Sequence, residues 1–251
     1  MKKIIPWKIF FILLTMSLIS VILIFPYILT LQSEVLQKTH IPAEVLFFAQ
    51  FFQSIIVFSL VIFLGLFFSK KIHFRMPFQG FRLDRDIHAL ISTIGKPVLF
   101  GILTACSIYL LDYFFSALGV KISTHVSIAP VWQKLLAAFY GGISEEIVMR
   151  LFFMTFLIWV MMKFTKQQKP GSLTIWIGII LAAVIFGLGH LPITSSLTEI
   201  NAIVIARAIV LNGIGGIVFG YLYWKKGLES AMISHFTADI FLLSLLPILF
   251  S

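Results

Sequence analysis

The sequence predicts an all-α fold: a polytopic transmembrane helical bundle of about seven spans (six to eight), with the site in a cavity between helices. Three observations predict it. Hydrophobic residues make up 60% of the 251 positions and charged residues only 12%, about half the share of a soluble domain. Mean hydropathy is +1.05. The apolar runs are long enough for spanning helices and lack the ten-residue alternation of an outer-membrane barrel. The net charge of +9 falls in short clusters between apolar runs, the pattern of cytoplasmic loops, which argues against nucleic acid as a partner. Cys106 is the only cysteine, so an intrachain disulfide and a thiolate metal cluster are both excluded; it reads as a small core residue.

The spans follow in order. Span one covers Ile4 to Leu31, with Pro6 tolerated near its start and Pro26 expected to kink its end. Its basic start, Met1-Lys2-Lys3, resembles a signal peptide. The apolar run is too long and lacks a small-x-small cleavage site, so it reads as an uncleaved span. A polar loop, Gln32 to Pro42, leads to span two, Ala43 to Phe68. Its phenylalanine-rich stretches at 47–52 and 63–68 read as lipid-facing bulk. The main basic loop carries Lys70, Lys71, Arg75, Arg82 and Arg85. Span three runs from His88 to Leu118, its turns up to Lys96-Pro97 lying at the interface.

Span four, Val131 to Phe164, is on the order of 50 Å long, against roughly 30 Å of hydrocarbon. It must tilt, protrude or break, with Gly141-Gly142 the expected break point. Lys163, Lys166 and Lys169 form the next basic loop. Span five is expected over Thr174 to His190, stopped by Leu191-Pro192. Span six covers Leu197 to Trp224, and span seven Leu228 to Phe250. With seven spans all basic clusters share one side, which places the N-terminus in the cytoplasm. Residues 1–130 then form the N-terminal helices and basic loop, and 131–251 the core that carries the site, within a single integral membrane domain.

Glu145 and Glu146 stand adjacent inside span four, where an unpaired carboxylate costs several kcal/mol. Glu146 and Arg150 are four apart and share a helix face; Glu145 is rotated about 100° from it. The expected division is that Arg150 pairs with Glu146 while Glu145 faces a cavity. On span five, Phe186 and His190 share a face, and Gly187 and Gly189 allow close helix approach. On span seven, His235 and Asp239 share a face. Counted from the basic loops, Glu145 and His190 each lie about 25–27 Å deep, and His235 and Asp239 about 15–20 Å.

A carboxylate and an imidazole across a low-dielectric cavity suit water activation, with further polar groups stabilising an oxyanion: amide hydrolysis without a covalent intermediate. Arg207 and Asn212 on span six read as pairing or snorkelling residues, and Asp112 and His88 as locally engaged. The Gly213–Gly220 run reads as a helix-packing face, since no strand precedes it.

The Glu-Glu-x-x-x-Arg, Phe-x-x-x-His and His-x-x-x-Asp motifs, in this order on successive apolar segments, resemble the CAAX protease and bacteriocin-processing family of intramembrane proteases. That family includes the type II CAAX prenyl endopeptidases, or Ras-converting enzymes. The resemblance covers about Val131 to Phe250. It implies Glu145 as the general base assisted by His190, His235 and Asp239 as oxyanion stabilisers, and Glu146 and Arg150 as orienting groups. Family members carry Asn or Asp at the last position, and an Asp donates a hydrogen bond only when protonated.

With no His-Glu-x-x-His pair, the residues favour metal-independent chemistry and no required cofactor. A zinc ion, if used, would draw on Glu145, His190 and His235. The expected partners are the lipid bilayer and a peptide or lipidated-peptide substrate, and the expected location is a bacterial plasma membrane. Two other readings stand beside proteolysis: a bacteriocin self-immunity or scaffold protein, and a proton-coupled transporter, which usually shows internal repeats not visible here.

Overall fold

The computed structural model of the chain describes residues 5–33, 36–37, 41–79, 91–120 and 129–249. Lys2, Lys3, Arg82, Arg85 and His88 lie outside them, as do the expected first residue of span one and last of span seven. Seven helices are long and apolar enough to cross a membrane: α1 (Trp7–Leu31), α2 (Ala43–Lys71), α3 (Thr93–Ala117), α4 (Val131–Phe164), α5 (Ser172–Ser195), α6 (Ala202–Lys226) and α7 (Leu228–Leu249). The described residues contain no strand. The chain is an integral membrane protein, and helices are the structure that lets spanning segments pair their backbone polar groups within hydrocarbon.

Helix α4 is the centre of the bundle, packing on α1, α2, α5, α6 and α7, while α3 closes the far side against α6 and α7. Ile147, Leu151, Met154 and Ile158 repeat at helical spacing along α4 and are fully buried. Between helices already in lipid, such a stripe stabilises mainly through close packing rather than the hydrophobic effect. Polar contacts add to it. Ser20 and Ser144 hydroxyls join α1 to α4 at 2.7 Å, and Thr30 Oγ1 donates to Gln133 Oε1 at 2.8 Å. Each such interhelical bond contributes on the order of 1 kcal/mol.

Several expectations need correction. First, α4 does not break at Gly141-Gly142: the helix continues, through π-helical turns at Tyr140–Glu145 and Ile147–Met154. The glycines serve close approach instead. A side chain on Gly141 would strike the Asp239 carboxylate, and one on Gly142 would sit 2.7 Å from Phe236 Cβ.

Second, α5 does not stop at Leu191-Pro192. Its first helical stretch ends at Gly189, His190 forms the junction, and helix resumes over Leu191–Ser195. Pro192 falls in the first turn of the resumed helix, where a missing N–H is tolerated. Third, α6 starts at Ala202 rather than Leu197, because the Asn201 side chain accepts from the backbone N–H groups of Ile203 and Val204, both at 3.0 Å. Fourth, Cys106 is half-buried rather than a core residue, Gly189 meets no neighbour, and Phe68 is buried against Phe152, Phe156 and Trp159 rather than lipid-facing.

The packing role of the α6 glycines is visible at Gly216, whose added Cβ would stand 2.6 Å from Ala183 Cβ of α5. Gly227 ends α6 at φ 108°, a conformation other residues rarely adopt, and turns the chain directly into α7.

Candidate active site

A cavity of about 380 Å³ lies between α1, α3, α4, α5, α6 and α7. Glu145, His190, His235 and Asp239 all line it. The expectation that His235 and Asp239 lie shallower than Glu145 does not separate them: His235 reaches both glutamates of α4. Helix rise counted from a loop assumes that every loop ends at one height, and α7 begins directly after Gly227 with no loop to count from.

His235 is the hub. Its Nδ1–H donates to Glu146 Oε1 at 2.7 Å. That leaves Nε2 toward Glu145 Oε2 at 3.7 Å and Asp239 Oδ1 at 3.6 Å. Arg150 Nη1 approaches the same Glu146 oxygen at 3.0 Å. This contact is ionic rather than a well-aligned hydrogen bond, since both Arg150 Nη groups and Glu146 Oε2 make no hydrogen bond among the described residues. The guanidinium is held instead between two rings, its Cζ 5.0 Å from the centroid of Phe186 and 5.4 Å from that of Phe219. Phe219 also stacks on the His235 ring at 4.6 Å, and Phe186 meets the His190 ring edge-on at 4.7 Å. Two phenylalanines thus fix the planes of both histidines and of the arginine.

His190 is oriented by backbone. Its Nδ1 lies 2.8 Å from the carbonyl oxygen of Phe186. A carbonyl only accepts, so Nδ1 carries the proton and Nε2 of the neutral ring keeps a lone pair. The junction at residue 190 makes this possible by ending the first stretch of α5 while its last carbonyls are still unclaimed.

Glu145 is partly open to the cavity, with a side chain 26% exposed, while Glu146 is fully buried with Arg150. Among the described residues no group of three or more His, Cys, Asp and Glu side chains has spacing that could hold a metal ion.

Reading the sequence left out four neighbours of this cluster. Tyr140 and Tyr27 line the cavity beside the carboxylates. Tyr140 lies five residues before Glu145, a spacing that a 3.6-residue period hides and that the wider π turn brings together. Phe219 was not assigned a role. Asp112 was not connected to Arg207: the Arg207 Nε donates to Asp112 Oδ1 at 2.7 Å, with Nη2 at 2.6 Å from the same oxygen, and Arg207 lines the cavity. Asn212 donates to the Ala208 carbonyl at 2.8 Å.

Residues 127–241 match the family described as Type II CAAX prenyl endopeptidase Rce1-like. That match, over a little under half of the chain, supports assignment to the CAAX protease family. No curated protein and no solved structure matches the chain. The matched segment begins just before α4 and contains Glu145, Glu146, Arg150, His190, His235 and Asp239. The match supports a CAAX-type intramembrane endopeptidase in general, with a peptide substrate in the setting of a bilayer.

Proposed function

We propose that the cavity hydrolyses a peptide bond with water activated by Glu145 and His190. The observation that carries this reading is the arrival of Glu145, His190, His235 and Asp239, from three different spans, in one cavity. Glu145 takes a proton from the water, and His190 holds the same water through its unprotonated Nε2. The hydroxide adds to the carbonyl carbon. The oxyanion accepts hydrogen bonds from His235 Nε2 and Asp239, which requires His235 to carry both ring protons and Asp239 to carry one. The proton on Glu145 then passes to the leaving amine as the C–N bond breaks, giving one carboxylate and one amine product. Glu146 and Arg150 orient His235 through its Nδ1.

The chemistry as written needs no metal. A zinc ion would have to draw on Glu145, His190 and His235, and their spacing does not fit a metal ion. The substrate class is a membrane-associated peptide, prenylated or leader-type, and the setting a bacterial plasma membrane with the N-terminus and basic loops on the cytoplasmic side. The family match favours hydrolysis over the immunity, scaffold and transporter readings.

The test is Glu145→Gln in the full chain, reconstituted in liposomes with a membrane peptide library. Loss of a general base lowers the rate by about 10²–10⁴-fold. The variant is expected to insert and fold while cleavage disappears; cleavage at the wild-type rate rules out Glu145 as the base. Retention of wild-type cleavage in the presence of a chelator is the expected result for metal-independent chemistry, and its loss transfers water activation to a metal.

A further inference from the structure

A second pocket, of about 400 Å³, lies where the start of α3 meets the α6–α7 turn, and shares no residue with the catalytic cavity. Arg75, Lys96, Lys225 and Lys226 line it against a single carboxylate, Glu229. Arg75 is fixed in the wall: its Nη1 donates to the Lys226 carbonyl at 3.2 Å and its Nε to the Gln79 carbonyl. Lys225 Nζ rests over the Trp224 ring at 3.4 Å. Lys96 and Lys226 are exposed and form no ion pair among the described residues.

The surface next to the pocket is apolar and ordered by helix geometry. Lys96, Leu99, Phe100 and Leu103 follow one another at i, i+3, i+4 and i+7, so a charged head stands over an apolar stripe on one face of α3. Leu99 is 54% exposed, Phe100 37% and Leu103 55%. Phe100 belongs to both the stripe and the pocket wall, joining the two surfaces. Four cations around a niche, continuous with an outward apolar track, match an anionic head that carries a hydrocarbon chain.

We propose that this pocket binds the phosphate of an anionic phospholipid, with one acyl chain along the Leu99–Leu103 face of α3. Lys96 and Lys226 supply exposed charges, Arg75 a fixed one, and Glu229 disfavours a second anion. A peptide carboxylate would satisfy the lysines but would leave the apolar track uncovered. The proposal is independent of the reaction in the catalytic cavity.

The experiment measures lipid carried by the purified full chain. Native mass spectrometry compares retention of phosphatidylglycerol with that of phosphatidylcholine, for wild type, for Lys96→Gln with Lys226→Gln, and for Lys163→Gln with Lys166→Gln as a basic cluster outside the pocket. The first pair is expected to lose retention about thirtyfold, from about fivefold per lysine, and the control pair to keep it. Equal losses in both pairs overturn the proposal in favour of diffuse attraction. Displacement of phosphatidylglycerol by an equal amount of inorganic phosphate also overturns it, making the pocket a site for free phosphate. A phosphatidylglycerol with a photoreactive acyl chain, added to the wild type, gives a readout that needs no variant to fold. Labelling of Leu99–Leu103 supports the site, and labelling spread evenly over the bundle defeats it.

Discussion

Two arginine–carboxylate pairs flank the cavity that holds Glu145 and His190, one behind its inner wall and one further along α6. Glu146 and Arg150 lie four apart on α4, 0% and 2% exposed, with the guanidinium between two phenylalanine rings. Asp112 and Arg207 join α3 to α6 across 95 residues, and are 40% and 18% exposed. Arg207 stands twelve residues before Phe219, about 18 Å along α6 from the ring that covers His235. The same chemical pair therefore does different work. The inner pair is cut off from solvent and serves as a fixed support for His235, because Glu146 has no other strong partner. The outer pair is partly exposed and joins α3 to α6.

The largest difference between the two is expected on removing one arginine. Arg150→Met leaves Glu146 buried without its cation, which costs about 3–5 kcal/mol. Unfolding titrations in detergent are expected to show that loss, together with loss of cleavage; a variant as stable as wild type breaks the comparison. Replacing both partners, Glu146→Leu with Arg150→Met, sharpens it. A buried pair exchanged for apolar groups is often neutral, so stability is expected to recover while cleavage stays absent, since His235 has lost its Nδ1 acceptor. Restored cleavage in that double variant removes Glu146 from the mechanism.

A smaller effect is expected from Gly141→Ala, which adds one carbon against the Asp239 carboxylate without changing any charge. Overpacking of this kind costs about 1–3 kcal/mol, and cleavage is expected to fall more than stability, because α7 must move away from α4. The smallest effect belongs to Arg207→Gln. A part-exposed pair is worth about 0–1 kcal/mol, so stability should barely change. A stability loss as large as that of Arg150→Met would erase the distinction between the pairs.

The seven spans were legible because apolar runs of spanning length are a strong signal in any sequence, and lipid allows them few structures. Glu146 with Arg150, Phe186 with His190, and His235 with Asp239 were legible as same-face pairs because each lies four apart on one helix. What escaped was either non-local or non-α. The Asp112–Arg207 and Ser20–Ser144 contacts join residues 95 and 124 positions apart, and nothing in the local pattern of either partner names the other. Gly141-Gly142 was read as a break because glycine weakens helices; its use as a landing place for α7 depends on where α7 lies. The end of α5 was misplaced because Pro192 stops a helix only when it is interior, and here it begins the next one. The neighbourhood of Tyr140 was hidden by the π turn.

That turn has a genetic consequence. A wide turn commonly holds one residue more than an ordinary α turn of the same height. Deleting a single codon between Tyr140 and Glu145 would let the segment rewind to regular α-helix and swing the upstream half of α4 by about 100° relative to the downstream half. Tyr140 and the Gly141-Gly142 landing would then point away from α7, although every acidic and imidazole side chain remained encoded. The site is therefore vulnerable to a change of length here as well as to substitution at Gly141, Gly142 or Glu145.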